Sequence, residues 1–219
     1  MNEETFLKIL EILKEKTPKN SPANILKNSY ERTPFTILIS TLLSLRTKDE
    51  ITAKVCKNLF KIADTPEKLV KIPRETLHEI LKPTGMYRKK AQTIQSVSKE
   101  LIERFDSKVP EDKKRLLSLK GVGEKTANIV LNNAFSIPSI AVDTHVHRIP
   151  NLLGFIKTKN EKETQKELEK KVPKKYWKEL NFTLVSFGQT ICLPSHPKCD
   201  ICPIKNYCPK NDRKERYGA

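Results

Sequence analysis

The residues with the most chemical promise lie in one short run, Leu119-Lys120-Gly121-Val122-Gly123-Glu124-Lys125-Thr126-Ala127-Asn128. Residues 111–119 can form a short helix before it, and residues 125–135 a longer one after it. Glycines in the connecting Gly-Val-Gly permit positive φ and a close approach of another backbone. The N–H groups of such a turn and of the new helix point outward. With the helix dipole they make an anion site suited to one phosphate. Lys120, Gly121, Gly123 and Thr126 are the candidate contacts of this helix–hairpin–helix. It would hold a nucleic-acid backbone without reading bases, although the same turn also serves as a packing corner. Lys125 falls in the first turn of the second helix, where an ammonium faces the positive end of the dipole. A neutral amine is what Schiff-base chemistry requires; an exposed lysine touching phosphate is the plainer alternative.

Asp143 stands in Ala141-Val142-Asp143-Thr144-His145-Val146-His147-Arg148. It follows an apolar piece and precedes helical periodicity, so it reads as an N-cap. A capping carboxylate can also face a cleft. The i, i+2 spacing of His145 and His147 puts them on different helix faces, which argues against a shared metal and for packing or phosphate contact. Cys192, Cys199, Cys202 and Cys208 are spaced C-x6-C-x2-C-x5-C. Four thiolates in a compact loop can hold a tetrahedral zinc or a cubane iron–sulfur cluster, and spacing alone does not choose. His196 and Lys198 lie between the first two cysteines and could lean on phosphate. Cys56 falls on an apolar face and reads as core.

These residues need scaffolding, and the pattern that supplies it is helical almost throughout. Phe6, Ile9, Leu10 and Leu13 recur at helical spacing, as do Val55, Leu59 and Ile62, and again Ile94, Val97 and Leu101. Pro and Asn clusters punctuate about ten short helices, and strand alternation is scarce. The basic tail from Lys210 to Arg216 reads as a frayed end. The chain of 219 residues is long enough for one or two cored domains. It carries 42 Lys and Arg against 26 Asp and Glu, a net charge of +16. That surplus favours a polyanion partner, nucleic acid first. No leader-like or membrane-length apolar run is visible. With an odd count of five cysteines, this points to an intracellular (cytoplasmic or nucleoid) protein with a metal site rather than disulfides.

Taken together and in order, the hairpin segment, Val142-Asp143-Thr144-His145 eighteen residues beyond Lys125, the C-x6-C-x2-C-x5-C run, Leu42-Leu43-Ser44 with Thr47-Lys48-Asp49, and Thr84-Gly85-Met86-Tyr87 resemble the endonuclease III family over nearly the whole chain. The resemblance implies an all-α, two-domain helix–hairpin–helix DNA glycosylase fold. A six-helix domain would span residues 25–136; residues 1–24 and 137–219 would form the cluster domain. It implies a [4Fe–4S] cluster, preferred to zinc on this ground alone, and double-stranded DNA in the cleft between domains with the damaged base flipped out.

Position by position, Lys125 matches the family's catalytic lysine and Asp143 its catalytic aspartate. Met86 falls where the family places an apolar wedge, usually leucine. Arg46 falls where many members have a glutamine that fills the space of the flipped base. Lys120 replaces a proline common in the hairpin. Adenine-excising and some mismatch-thymine relatives lack a lysine at the position of Lys125, so its presence implies a bifunctional DNA glycosylase and AP lyase. Oxidised or ring-saturated pyrimidines and abasic sites are the expected substrates. A G·T or G·U mismatch glycosylase and a non-catalytic DNA-binding module are the competing readings. A monomer is expected, since no extended apolar face is left over.

Overall fold

The computed structural model describes residues 1–209, so the basic tail beyond them lies outside the described residues. Twelve α-helices and four short 3-10 turns make up its regular structure, with no strand among the described residues. The chain divides into two compact units, Pro22–Ile137 and Met1–Ser21 with Pro138–Ala219.

The first unit contains α2 (Pro22–Lys27), α3 (Pro34–Ser44), α4 (Asp49–Phe60), α5 (Pro66–Val70), α6 (Arg74–Leu81), α7 (Tyr87–Phe105), α8 (Lys113–Leu117) and α9 (Glu124–Ala134). Its centre is α3. Thr33 and Thr36 form a reciprocal capping box, Pro34 supplies a pre-set φ at the first position, and nine consecutive residues from Phe35 to Leu43 are buried. A helix apolar all round must be surrounded; α3 packs against α4, α7 and α9. The face of α4 buries Val55, Cys56 and Leu59, and α7 buries Ile94, Val97 and Leu101. Burial pushes the Cys56 thiol up to about 12, as fits an inert core cysteine. Ile62 departs from the sequence expectation. The helix stops at Phe60 and Ile62 lies 56% exposed, because the chain turns through Lys61 with the Ile62 N–H donating to the Leu59 carbonyl.

The second unit gathers α1 (Glu3–Lys16), α10 (Thr144–Leu152), α11 (Glu161–Lys171) and α12 (Trp177–Thr190). Asn2 caps α1 through the Thr5 N–H, and Glu3 and Glu4 precede Lys14 and Lys16 in the sense that suits the dipole. The buried stripe Phe6, Ile9, Leu10 and Leu13 packs on α12, and the Phe6 ring stacks on Phe155 at 3.9 Å. No helix among the described residues is long and apolar enough to cross a membrane.

Candidate functional site

The hairpin is built from the core outward. Leu116, Leu119, Val122, Ala127 and Val130 are buried and anchor its two helices. The first helix is shorter than expected: α8 starts only where the Asp112 carboxylate caps it through the Arg115 N–H, and it ends at Leu117. The turn is then closed by Leu119 N–H on the Leu116 carbonyl and Val122 N–H on the Leu119 carbonyl, both at 3.1 Å. Gly121 has φ +91°, and a Cβ there would stand 2.6 Å from Thr93 Cγ2 on α7, so glycine is required twice over. Further bonds fasten the turn to α7: Lys120 N–H donates to Glu100 at 3.2 Å, and Arg104 donates to Ser118 Oγ at 2.9 Å.

Gly123 is the N-cap of α9, and among the described residues no side chain caps that end. The first N–H groups of an eleven-residue helix therefore lack a side-chain acceptor at the surface. Lys125 is the second residue of the helix and is exposed, as are Lys120, Gly121 and Gly123. Thr126 is buried beneath them at 2% exposure. Glu124 is drawn aside in an ion pair with Lys113 at 2.7 Å.

Arg46 and Met86 lie on two other turns of the same unit. Both have left-handed backbones, with φ +55° and +46°, and both are exposed. A bulky residue rarely adopts this region, at a cost of about 1–3 kcal/mol. Met86 begins directly after Gly85, whose φ is +65°, and its side chain is 52% exposed. One buried cation, Lys90, joins these two turns. Sequence reading missed it, although it stands four residues before Ile94 on the buried stripe of α7, where a lysine is out of place.

In the other unit, Asp143 caps α10: its Oδ1 accepts from His145 N–H at 3.0 Å and Val146 N–H at 2.9 Å. The His145 ring lies over Gly188 of α12, where a Cβ would meet Nδ1 at 2.2 Å. His147 bonds Thr164 Oγ1 at 2.6 Å. Both histidines thus take part in packing α10 against α11 and α12. Lys125 and Asp143 belong to different units.

The cysteine loop follows α12. Cys192, Cys199 and Cys208 are buried, Cys202 is half-buried, and none forms a disulfide. Two 3-10 turns, Cys199–Ile201 and Lys205–Tyr207, provide the regular structure between them. Burial raises the Cys202 thiol, outweighing a bond from the Ile204 N–H, and the nearby Cys192, Cys208 and Cys199 add to the rise. Among the described residues no group of three or more ligand-type side chains is placed to hold a single metal ion, and the Cys202 thiol has the other three cysteines near it. Arg148 on α10 donates to the Cys192 carbonyl at 2.5 Å and to its Sγ at 3.6 Å. Four thiol donors on one loop, three of them buried and one of them bonded by a guanidinium, suit a cubane, whose ligands are thiolates and whose sulfurs accept hydrogen bonds. Lys198 and His196 are exposed on the same loop.

The HhH-GPD superfamily of base excision DNA repair proteins matches residues 39–174, and the iron–sulfur binding domain of endonuclease III matches residues 192–208. The chain is 47% identical to the endonuclease III of Thermotoga maritima over 83% of its own length and 85% of that protein's. It is 38% identical to that of Bacillus subtilis, covering 84% and 85%. Among solved structures it resembles a non-covalent endonuclease III–DNA complex, with TM-score 0.87, 33% identity and 99% of each chain covered. A trapped endonuclease III–DNA covalent intermediate gives TM-score 0.83 at 32% identity over 99% and 100%. The chain therefore belongs to the endonuclease III family, the DNA glycosylases and AP lyases of base excision repair that carry a [4Fe–4S] cluster.

Proposed function

We propose that this chain excises oxidised or ring-saturated pyrimidines from double-stranded DNA and cleaves the resulting abasic strand, with Lys125 as nucleophile. The observation that carries the reading is an exposed lysine on the first turn of a helix whose N-terminus has no side-chain cap. A phosphate seated on those N–H groups, with Lys120, Gly121, Gly123 and Thr126 around it, holds the strand beside the amine. Further phosphate contacts fall to Lys198 and His145.

Met86 and Arg46 fill the gap left by the flipped nucleotide. Lys125 Nζ attacks C1′, the glycosidic bond breaks, and the base leaves with the bonding pair and takes up a proton. Asp143 accepts the amine's proton or steadies the positive charge on the sugar. The sugar ring opens to a protonated imine, a proton is lost from C2′, and the C3′–O bond breaks with the phosphate as leaving group. Water then hydrolyses the imine and frees Lys125. Cys192, Cys199, Cys202 and Cys208 hold the cluster, which when bound cross-links the loop around it. The chain acts as an intracellular monomer.

Borohydride trapping on a duplex with one abasic site tests the nucleophile. A covalent adduct lost in Lys125→Ala and kept in Lys120→Ala is expected. Adduct formation by Lys125→Ala at the wild-type rate rules the assignment out. An undamaged G·T duplex, on which no base release is expected, separates this substrate class from a mismatch glycosylase.

A further inference from the structure

Lys90 lies on α7, four residues after Met86, and is 7% exposed. Its Nζ donates to the Leu43 carbonyl at 2.8 Å, to the Thr84 carbonyl at 3.1 Å and to Thr47 Oγ1. Thr47 Oγ1 passes its own proton to the same Thr84 carbonyl at 2.6 Å. The ammonium's three protons thus find three acceptors, and the threonine hydroxyl closes the ring. Leu43 and Thr47 flank Arg46, and Thr84 sits two residues before Met86. The buried charge therefore clamps the two turns whose left-handed residues are exposed at the surface.

A lysine in a core stripe is costly to dehydrate. Burial holds its pKa below the usual lysine range. An apolar residue would fill the space but would take the lysine's donor from the Leu43 carbonyl and leave the Thr84 carbonyl with Thr47 Oγ1 alone. Its N–H groups also reach across from α7 to the end of α3, which no backbone–backbone bond among the described residues does. Strained backbone persists only where surroundings over-determine it, and Lys90 is the group that does so for both turns at once.

We infer that Lys90 is a positioning residue for lesion recognition: its ammonium fixes the turns bearing Arg46 and Met86 so that both meet the opened duplex together. The inference rests on the proposal that these two residues enter the gap. Lys90 itself touches no DNA, so its loss acts through Met86 and Arg46 and leaves the phosphate contacts of the hairpin intact.

The test uses the cluster-loaded full chain and two duplexes, one undamaged and one with a tetrahydrofuran abasic analogue. Lys90→Met keeps the volume and removes the donors. It is expected to bind undamaged duplex within about twofold of wild type and the abasic duplex at least about tenfold more weakly. Met86→Ala is then added to each background. Its penalty on the abasic duplex, clear in the wild type, is expected to shrink to within about twofold of unity in Lys90→Met, as for two residues acting as one unit.

Equal losses on both duplexes, or a Met86→Ala penalty unchanged by Lys90→Met, would reduce Lys90 to a generic stabiliser and overturn the inference. Should Met86→Ala and Arg46→Ala both leave wild-type binding to the abasic duplex unaltered, the gap-filling reading itself is what fails. Thr47→Val breaks the same ring without emptying the lysine site. It is expected to shift abasic binding in the same direction by less, and it decides the matter if Lys90→Met does not fold.

Discussion

The hairpin and the cysteine loop both present basic residues at the surface, but they are held by opposite means. The hairpin is a thin skin over a core: five buried apolar side chains and bonds to α7 fix it before any ligand arrives. The cysteine loop has two three-residue turns, and besides Pro197 and Ile204 its buried side chains are the cysteines Cys192, Cys199 and Cys208. In the first region chemistry is laid on a structure that stands without it. In the second, the cluster assigned to these cysteines would itself supply the structure.

That contrast gives its strongest test at Lys125. Lys125→Ala is expected to slow abasic-strand cleavage by at least about a thousandfold, while chemical denaturation shifts by no more than about 0.5 kcal/mol, as for an exposed site. Cys199→Ser should do the reverse. Visible absorption from the cluster is lost, and protease cuts between residues 192 and 208 while the Pro22–Ile137 unit stays folded. The loss of stability is expected to reach roughly 3 kcal/mol or more, since ligand binding there is folding free energy. A Cys199→Ser protein that melts as the wild type would erase the distinction drawn between the two regions.

Smaller effects sharpen it. Gly121→Ala must set a methyl 2.6 Å from Thr93 Cγ2 and adopt φ +91°, for an expected cost of about 1–3 kcal/mol. Gly123→Ala meets nothing within 4 Å and has φ −99°, so it should cost under about 1 kcal/mol. Paired urea melts measure the difference, and equal costs would mean that the turn is looser than its bonds imply. Smallest in stability is Asp143→Asn. The amide oxygen can still accept from His145 and Val146 N–H, so folding should change by about 0.5 kcal/mol or less. Cleavage should nevertheless fall, because the charge is gone; unchanged turnover would leave Asp143 a cap alone.

Much of this was legible in residue types and spacing. The stripes of α1, α4 and α7 marked their buried faces, and the capping position of Asp143 followed from an apolar piece ahead of a helical one. Glycine spacing located the hairpin. Ile62 misled because a stripe continues on paper where the backbone has already turned. Lys90 was hidden for a different reason. In Tyr87-Arg88-Lys89-Lys90 it is one basic residue among three, and its acceptors lie on segments 43 and 47 residues away in sequence as well as on the adjoining turn. Its register on the α7 stripe was a signal, but only the fold supplies the carbonyls that make a buried ammonium tolerable. Arg148 escaped notice similarly, since nothing local ties it to a cysteine 44 residues on.

The bonds made by α7 carry a consequence for distance. At its start Lys90 secures the turns of Arg46 and Met86, and ten residues later Glu100 holds the hairpin through Lys120. An α-helix rises 1.5 Å per residue, so the two attachments are separated by about 15 Å along a nearly inextensible axis. Duplex DNA rises about 3.4 Å per step along each strand, so a strand running alongside this helix would cover about four base steps. In the proposed complex the helix would act as a gauge block: the phosphate assigned to the hairpin would be counted off from the nucleotide in the gap by a fixed length of protein.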